Sequence, residues 1–261
     1  MNHQLPSQAF KLLGATLLAV ICASSHAQQA CRSNSTANVT PLIELYTSEG
    51  CDSCPPADRW LSGLNASEPA TVVSWHVDYW DRLGWRDRFG LPEAATRQAR
   101  QVRAGAARSA YTPQTMVHGL SHFHNQGSVI DRRVAGLAQT AAPIQLQLNH
   151  STISDGKLQF DLNSTTDAGK TYQLYVAVVE NKLSSVVTAG ENKGVTLKHD
   201  HVVRAWAGPF ASNSTSTVSK SALSQKLLIP KDAVLANLRV VAWADDANGL
   251  PAQSLTSQCK L

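Results

Sequence analysis

The chain has 261 residues, with 23 Lys and Arg against 19 Asp and Glu, a formal charge of +4. That length suits one or two domains. The weak charge, with no basic stripe interleaved with aromatics, excludes a polycationic nucleic-acid binder, and no segment has the length and apolarity of a membrane span.

The first residues form a separate unit. Lys11 is followed by an apolar run, Leu12 to Cys22, and then by Ala23-Ser24-Ser25-His26-Ala27. A basic start, a short apolar core and a small-x-small site predict a signal peptide over residues 1–27, and hence a periplasmic or secreted protein. Its removal takes one basic residue and no acid, leaving 22 basic against 19 acidic residues. Cys22 as a lipid-bearing residue is the alternative, opposed by the bulky Ile21 before it.

Cys31 to Thr40 is polar and reads as an irregular lead-in. In the next stretch Leu42, Glu44 and Tyr46 point to one face of a strand, and Ile43, Leu45 and Thr47 to the other. A turn at Gly50 leads to Cys51 and Cys54, spaced C-x-x-C, and to Pro55-Pro56. Proline suits the first helical turn because its missing N–H would be unpaired there anyway. A helix therefore starts close to Cys54 and runs to Leu64, with Trp60, Leu61 and Leu64 on one face. Free N–H groups and the positive dipole end at such a terminus stabilise a thiolate. The pattern reads as a redox pair. A structural disulfide and half of a zinc site are the alternatives, although the chain holds no second C-x-x-C.

Thr71 to Val77 is the next strand, and strand–helix–strand predicts a parallel βαβ unit. Sites in such sheets gather beyond the carboxyl ends of the strands, which brings His76 and Asp78 towards Cys51. A helix follows from Pro92 to about Ala107, with Arg97, Arg100, Arg103 and Arg108 on a solvated face. Tyr111-Thr112-Pro113 enters a strand that ends at His118. Gly119 to Gln126 reads as a turn, Ser128 to Ile130 as a hairpin strand, and Arg132 to Thr140 as a helix. After Ala141-Ala142-Pro143 the texture changes. Alternation at Ile144, Leu146 and Leu148, and at Leu158, Phe160 and Leu162, predicts strands; so do Tyr172–Val179, His201–Trp206, Lys226–Ile229 and Leu238–Trp243.

Four blocks carry a family resemblance: Glu44-Leu45-Tyr46-Thr47-Ser48-Glu49-Gly50-Cys51-Asp52-Ser53-Cys54-Pro55-Pro56-Ala57-Asp58; His76-Val77-Asp78-Tyr79-Trp80-Asp81-Arg82-Leu83-Gly84-Trp85; Tyr111-Thr112-Pro113-Gln114; and Gly190-Glu191-Asn192-Lys193-Gly194. Together they resemble the DUF1223 family of exported bacterial proteins. The short strands and turn residues after residue 141 predict a mostly antiparallel β-sandwich over 142–261, and the resemblance implies an α/β thioredoxin-like domain over residues 28–141. It also implies that Thr112-Pro113 is a cis-proline step beside the redox pair. His118, His122 and His124 depart from the family pattern and leave a metal site open.

The expected activity is thiol–disulfide exchange with protein thiols or disulfides as partners and no cofactor. Cys51 would be the exposed nucleophile and Cys54 the resolving thiol. Glu44, desolvated in its strand, would move a proton to or from Cys54, unless it is only a solvated strand-face carboxylate. Tyr79, Trp80 and Trp85 would line a groove or fill the core. With Cys51 and Cys54 paired, Cys31 and Cys259 are left for each other, a staple on the order of 4–5 kcal/mol; two free thiols are the alternative. The rival functions are a periplasmic handler of copper(I) or zinc, using the same cysteines, and a binding module whose disulfide never opens.

Overall fold

A computed structural model describes Met1, residues 31–64, 69–212 and 218–259, and Leu261. The expected leader, residues 1–27, and Cys22 within it lie outside the described residues. The described chain is mixed α and β, mostly strand, with the elements β1 (Cys31–Asn34), β2 (Leu42–Thr47), α1 (Pro55–Ser62), β3 (Thr71–His76), α2 (Pro92–Arg103), β4 (Gln114–Val117), β5 (Leu120–His122), α3 (Gly127–Leu137), β6 (Ile144–His150), β7 (Lys157–Asp167), β8 (Gln173–Glu180), β9 (Leu183–Val186), β10 (Thr196–His199), β11 (Val202–Ala211), β12 (Val218–Leu228), β13 (Leu238–Asp245) and β14 (Pro251–Thr256).

An eight-stranded sheet, in the order β14-β13-β8-β11-β3-β2-β4-β5, forms the centre. β2 and β3 are parallel, as strands flanking a helix must be, and β4 returns antiparallel to β2. One face of β2 presents Ile43 and Leu45 to Ala57 and Leu61 of α1 and to Ile130 and Val134 of α3. The other face presents Leu42 and Tyr46 to a core that takes in Ala94 of α2 and runs on to Tyr175 and Trp243. A second, four-stranded sheet, β1-β6-β7-β12, lies over the far end of the large one. Leu146, Leu148, Phe160 and Leu162 there meet Leu174, Val176, Val178 and Val240 of β8 and β13, the layered packing of a sandwich.

The large sheet draws strands from both sides of residues 141/142, because β11 pairs with β3 at Val202 and Ser74. Several expectations are corrected here. β1 crosses to pair with β6, so the expected irregular lead-in begins as a strand. The hairpin partner of β4 is Leu120–His122, not Ser128–Ile130. His118 and Gly119, both at positive φ (49° and 73°), make the tight two-residue turn that antiparallel strands favour. Ser128–Ile130 instead opens α3, where Ile130 and Val134 are buried one helical turn apart. Arg97 is not solvated but 3% exposed.

The two predicted cysteine pairs are both closed. Cys31 and Cys259 are joined with Cα atoms 6.0 Å apart, and Cys51 and Cys54 with Cα atoms 5.4 Å apart.

Candidate functional site

β2 ends at Thr47, and the chain turns at once into α1. The Cys51 N–H donates to the Ser48 carbonyl, and the Cys54 N–H to the Cys51 carbonyl, each at 3.2 Å. Cys54 is the N-cap residue of α1, with prolines in the first turn, and its carbonyl accepts from Ala57 N–H and Asp58 N–H. The pair thus lies at the helix N-terminus, where the sequence put it. The expectation of an exposed Cys51 is corrected: both cysteines are 0% exposed.

What covers them comes from the distant block Gly190–Gly194. The loop between β9 and β10 lies on the C-x-x-C loop. Asn192, 6% exposed, donates through Nδ2 to the Glu49 and Cys51 carbonyls, both at 2.9 Å. Glu191 accepts from the Asp52 N–H at 3.3 Å. Gly190, at φ 72°, sits so close to Trp85 that an added Cβ would stand 3.1 Å from the Trp85 Cβ. On the other side Gly50 meets Trp80 with the same tightness, 3.0 Å. The Trp80 indole N–H donates to Thr112 Oγ1 at 2.7 Å. The Thr112–Pro113 bond is cis. The pairing of Tyr46 with Gln114 brings that bond to the end of the sheet from which Cys51 emerges.

Glu44 is turned away from the pair. It lies on the α2 face of β2, opposite the helix that carries Cys54, and its carboxylate is fully engaged. It accepts from Arg97 (2.5 and 3.2 Å), Gln101 (2.5 Å) and Trp75 (3.0 Å). Arg97 in turn binds Asp245 of β13 at 2.8 Å. The physical reason is charge balance: a carboxylate with no exposure in a core needs a partner, and Arg97 supplies one.

Titratable groups do gather beside the cysteines, but they are others. Asp58 follows Cys54 by one helical turn and is buried. His199 of β10 stands between two acids, with Nδ1 3.7 Å from Asp58 and Nε2 3.6 Å from Glu49. His76 packs edge-on against His199, ring centres 4.7 Å apart, and its Nδ1 lies 2.7 Å from Asp87. Asp87 also accepts the Glu49 and Phe89 N–H groups at 2.8 Å. The second carboxylate oxygen of Glu49 accepts from Trp85 Nε1 at 2.8 Å. Glu49 Oε1, His76 Nε2 and both ring nitrogens of His199 are buried with no hydrogen bond.

Burial pushes the Asp58 carboxyl above its ordinary range, and the two histidines only partly offset it. Burial also acts against protonation of His76, but Asp87 outweighs it and raises the imidazole. For Glu49, burial raises, and the contacts with His199, Ser185 and Trp85 reverse the direction and leave it lowered. Neighbouring carboxyls pushed in opposite directions are what proton transfer uses.

The remaining expected residues are dispersed. Asp78 stays outside this cluster; its place is taken by Asp87, which sequence reasoning missed. Tyr79 is at the surface, 36% exposed, with its hydroxyl 3.4 Å from Gln98. His118 lies at the turn after β4 and lines a cavity of about 660 Å³ with Leu137, Tyr172 and Pro251, among others. His122 is opposite Thr115 on β5, and His124 follows it in a turn. Among the described residues, no three His, Cys, Asp or Glu are grouped so as to hold a metal, and no helix is long and apolar enough to cross a membrane. Glu49, Asp58 and Asn192 were within the quoted blocks, and Asp58 was legible as the residue one turn past Cys54. His199 carried no sequence signal.

A family model described as a protein of unknown function, DUF1223, matches residues 42–242. No curated protein matches. Among solved structures, the chain is similar to protein AGR_C_4864 from Agrobacterium tumefaciens, with 21% identity, a TM-score of 0.62, and 87% of this chain and 98% of that one covered. It is also similar to HBP35 of Porphyromonas gingivalis, with 13% identity, a TM-score of 0.59, and 85% and 76% covered. At these identities the likeness is one of fold.

Proposed function

This chain belongs to the DUF1223 family, and on that footing we propose that it is an exported thiol–disulfide oxidoreductase whose working pair is Cys51 and Cys54. The observation that carries the reading is the C-x-x-C disulfide at the N-terminus of α1 with buried, oppositely shifted acids beside it. A thiolate formed there is stabilised by the helix end. The parallel β2–α1–β3 unit, the antiparallel β4–β5 hairpin and Thr112-Pro113 at the same sheet end support a thioredoxin-like reading of residues 28–141. The apolar leader over 1–27 supports export.

One observation favours a second reading. Both cysteines are covered, as in a disulfide that serves only structure. The reduction potential separates the two. A working pair equilibrates with glutathione, whereas a structural bridge has a potential below about −300 mV. In the working case Cys54→Ser retains Cys51 as nucleophile, which attacks a disulfide substrate and accumulates as the mixed disulfide, because no resolving thiol remains. A potential in the structural range, with no trapped adduct, removes the enzyme reading.

A further inference from the structure

We propose that Asp58 delivers the proton to Cys54 when the disulfide opens, and that His199, reaching over from the β9–β10 hairpin, positions and recharges Asp58. This rests on the redox reading of Cys51 and Cys54. It moves the acid–base role from Glu44, on the wrong face of the sheet, to a residue on the same helix as Cys54.

The geometry is specific. Asp58 N–H bonds the Cys54 carbonyl at 3.1 Å, so the two residues are one turn apart and their side chains share a face of α1. Both are buried, and His199 of the hairpin lies against Asp58. Departing thiolate at Cys54 would be a buried charge without a partner, which is costly unless a proton arrives. Asp58, one turn on along the same face of α1, supplies it. The groups facing Asp58 are His199 from β10, His76 from β3, and Asp87 from the loop after it. His199 alone has a second carboxylate, Glu49, on its far nitrogen. An imidazole suspended between two acids, with neither nitrogen committed to a hydrogen bond, can accept a proton on one side and release it on the other.

The step balances with a substrate dithiol as reductant. One substrate thiolate attacks Cys51 Sγ, the new S–S bond forms as the Cys51–Cys54 bond breaks, and Cys54 leaves with the electron pair. Asp58 gives its proton to Cys54. The second substrate thiolate attacks the first substrate sulfur and releases Cys51 as a thiolate, which solvent protonates. The substrate ends as a disulfide, the protein as a dithiol, and Asp58 takes up a second solvent proton relayed by His199.

The test follows reduction of the oxidised protein by dithiothreitol across pH, as the ratio of variant to wild-type rate so that the reductant's own titration cancels. Asp58→Asn should be slowed on the order of 100-fold in the acid range, with the ratio returning towards one in alkali, where no acid is available to either protein. His199→Gln should move the pH at which the wild-type rate falls, while leaving the alkaline rate in place. A uniform ratio at every pH, or none, overturns the proposal. Should either variant fail to fold, the infrared difference spectrum of the wild type decides instead. Followed in time after dithiothreitol is added in acid buffer, one protonated-carboxyl band should disappear as the disulfide opens and return as Asp58 is recharged, and a time course without carboxyl change refutes the transfer. If the potential of the pair is structural, the redox reading fails first. If the pair cycles but these profiles stay flat, only the proton route fails.

Discussion

At the scale of residues, buried titratable groups divide into those that balance one another and those that do not. Glu44 and Arg97 belong to the first kind; half-buried His118, whose ring accepts only the Leu42 N–H at 3.5 Å, belongs to the second. Burial first, and Arg133 second, lower the His118 imidazole from 6.5 to about 4. A group whose folded pKa lies below its unfolded value binds its proton more readily when unfolded, so stability is lost as pH falls from about 6.5 to about 4. His118→Asn tolerates the positive φ at this turn. The difference in unfolding free energy between wild type and His118→Asn, followed by urea titration, should be constant above neutrality. It should shift against the wild type by up to about 3 kcal/mol across that acid window. A difference independent of pH would mean that His118 is solvated.

At the scale of elements, the β9–β10 hairpin connects the two ends of the chain's logic. It brings His199 to Asp58 from one strand and Asn192 to the cysteine loop from its tip. Removing the Asn192 amide deletes two neutral hydrogen bonds, about 1 kcal/mol each. If the loop must lift before a reductant reaches the pair, Asn192→Ala should accelerate dithiothreitol reduction by up to about 30-fold, with little change in the reduction potential. A rate equal to the wild type would show that access runs by another route. The sequence announced β2, α1 and β3 because their periodicity and prolines are local signals. It announced the closeness of Cys51 and Cys54 for the same reason. The hairpin was silent: two four-residue strands carry too short a pattern to register, and the loop between them reveals its purpose only through a partner some 140 positions away. Arg97 was misread because helical spacing alone cannot tell a solvated arginine from one that answers a buried carboxylate on another strand.

At the scale of the whole molecule, the eight-stranded sheet makes one body of sequence halves that composition had divided. Arg97 is the electrostatic joint of that body, with Glu44 of β2 on one side and Asp245 of β13 on the other. Its guanidinium also lies 4.9 Å from the Trp243 ring and 5.5 Å from that of Tyr175. Arg97→Met keeps bulk but leaves Glu44 in the core without its cation and Asp245 with Arg100 alone, and should destabilise the protein by about 3–5 kcal/mol. The loss should appear as one cooperative transition in chemical denaturation. Separate transitions for the two halves would contradict a shared core. The Cys31–Cys259 bridge has a further consequence for biosynthesis. Its two cysteines are 228 positions apart, with Cys51 and Cys54 made between them. An oxidant that joined cysteines in order of emergence would couple Cys31 to Cys51 and leave Cys54 for Cys259. The nested native pairing therefore demands patience of the nascent chain: Cys31 must stay reduced until translation is nearly over, or an isomerase must undo the earlier choice.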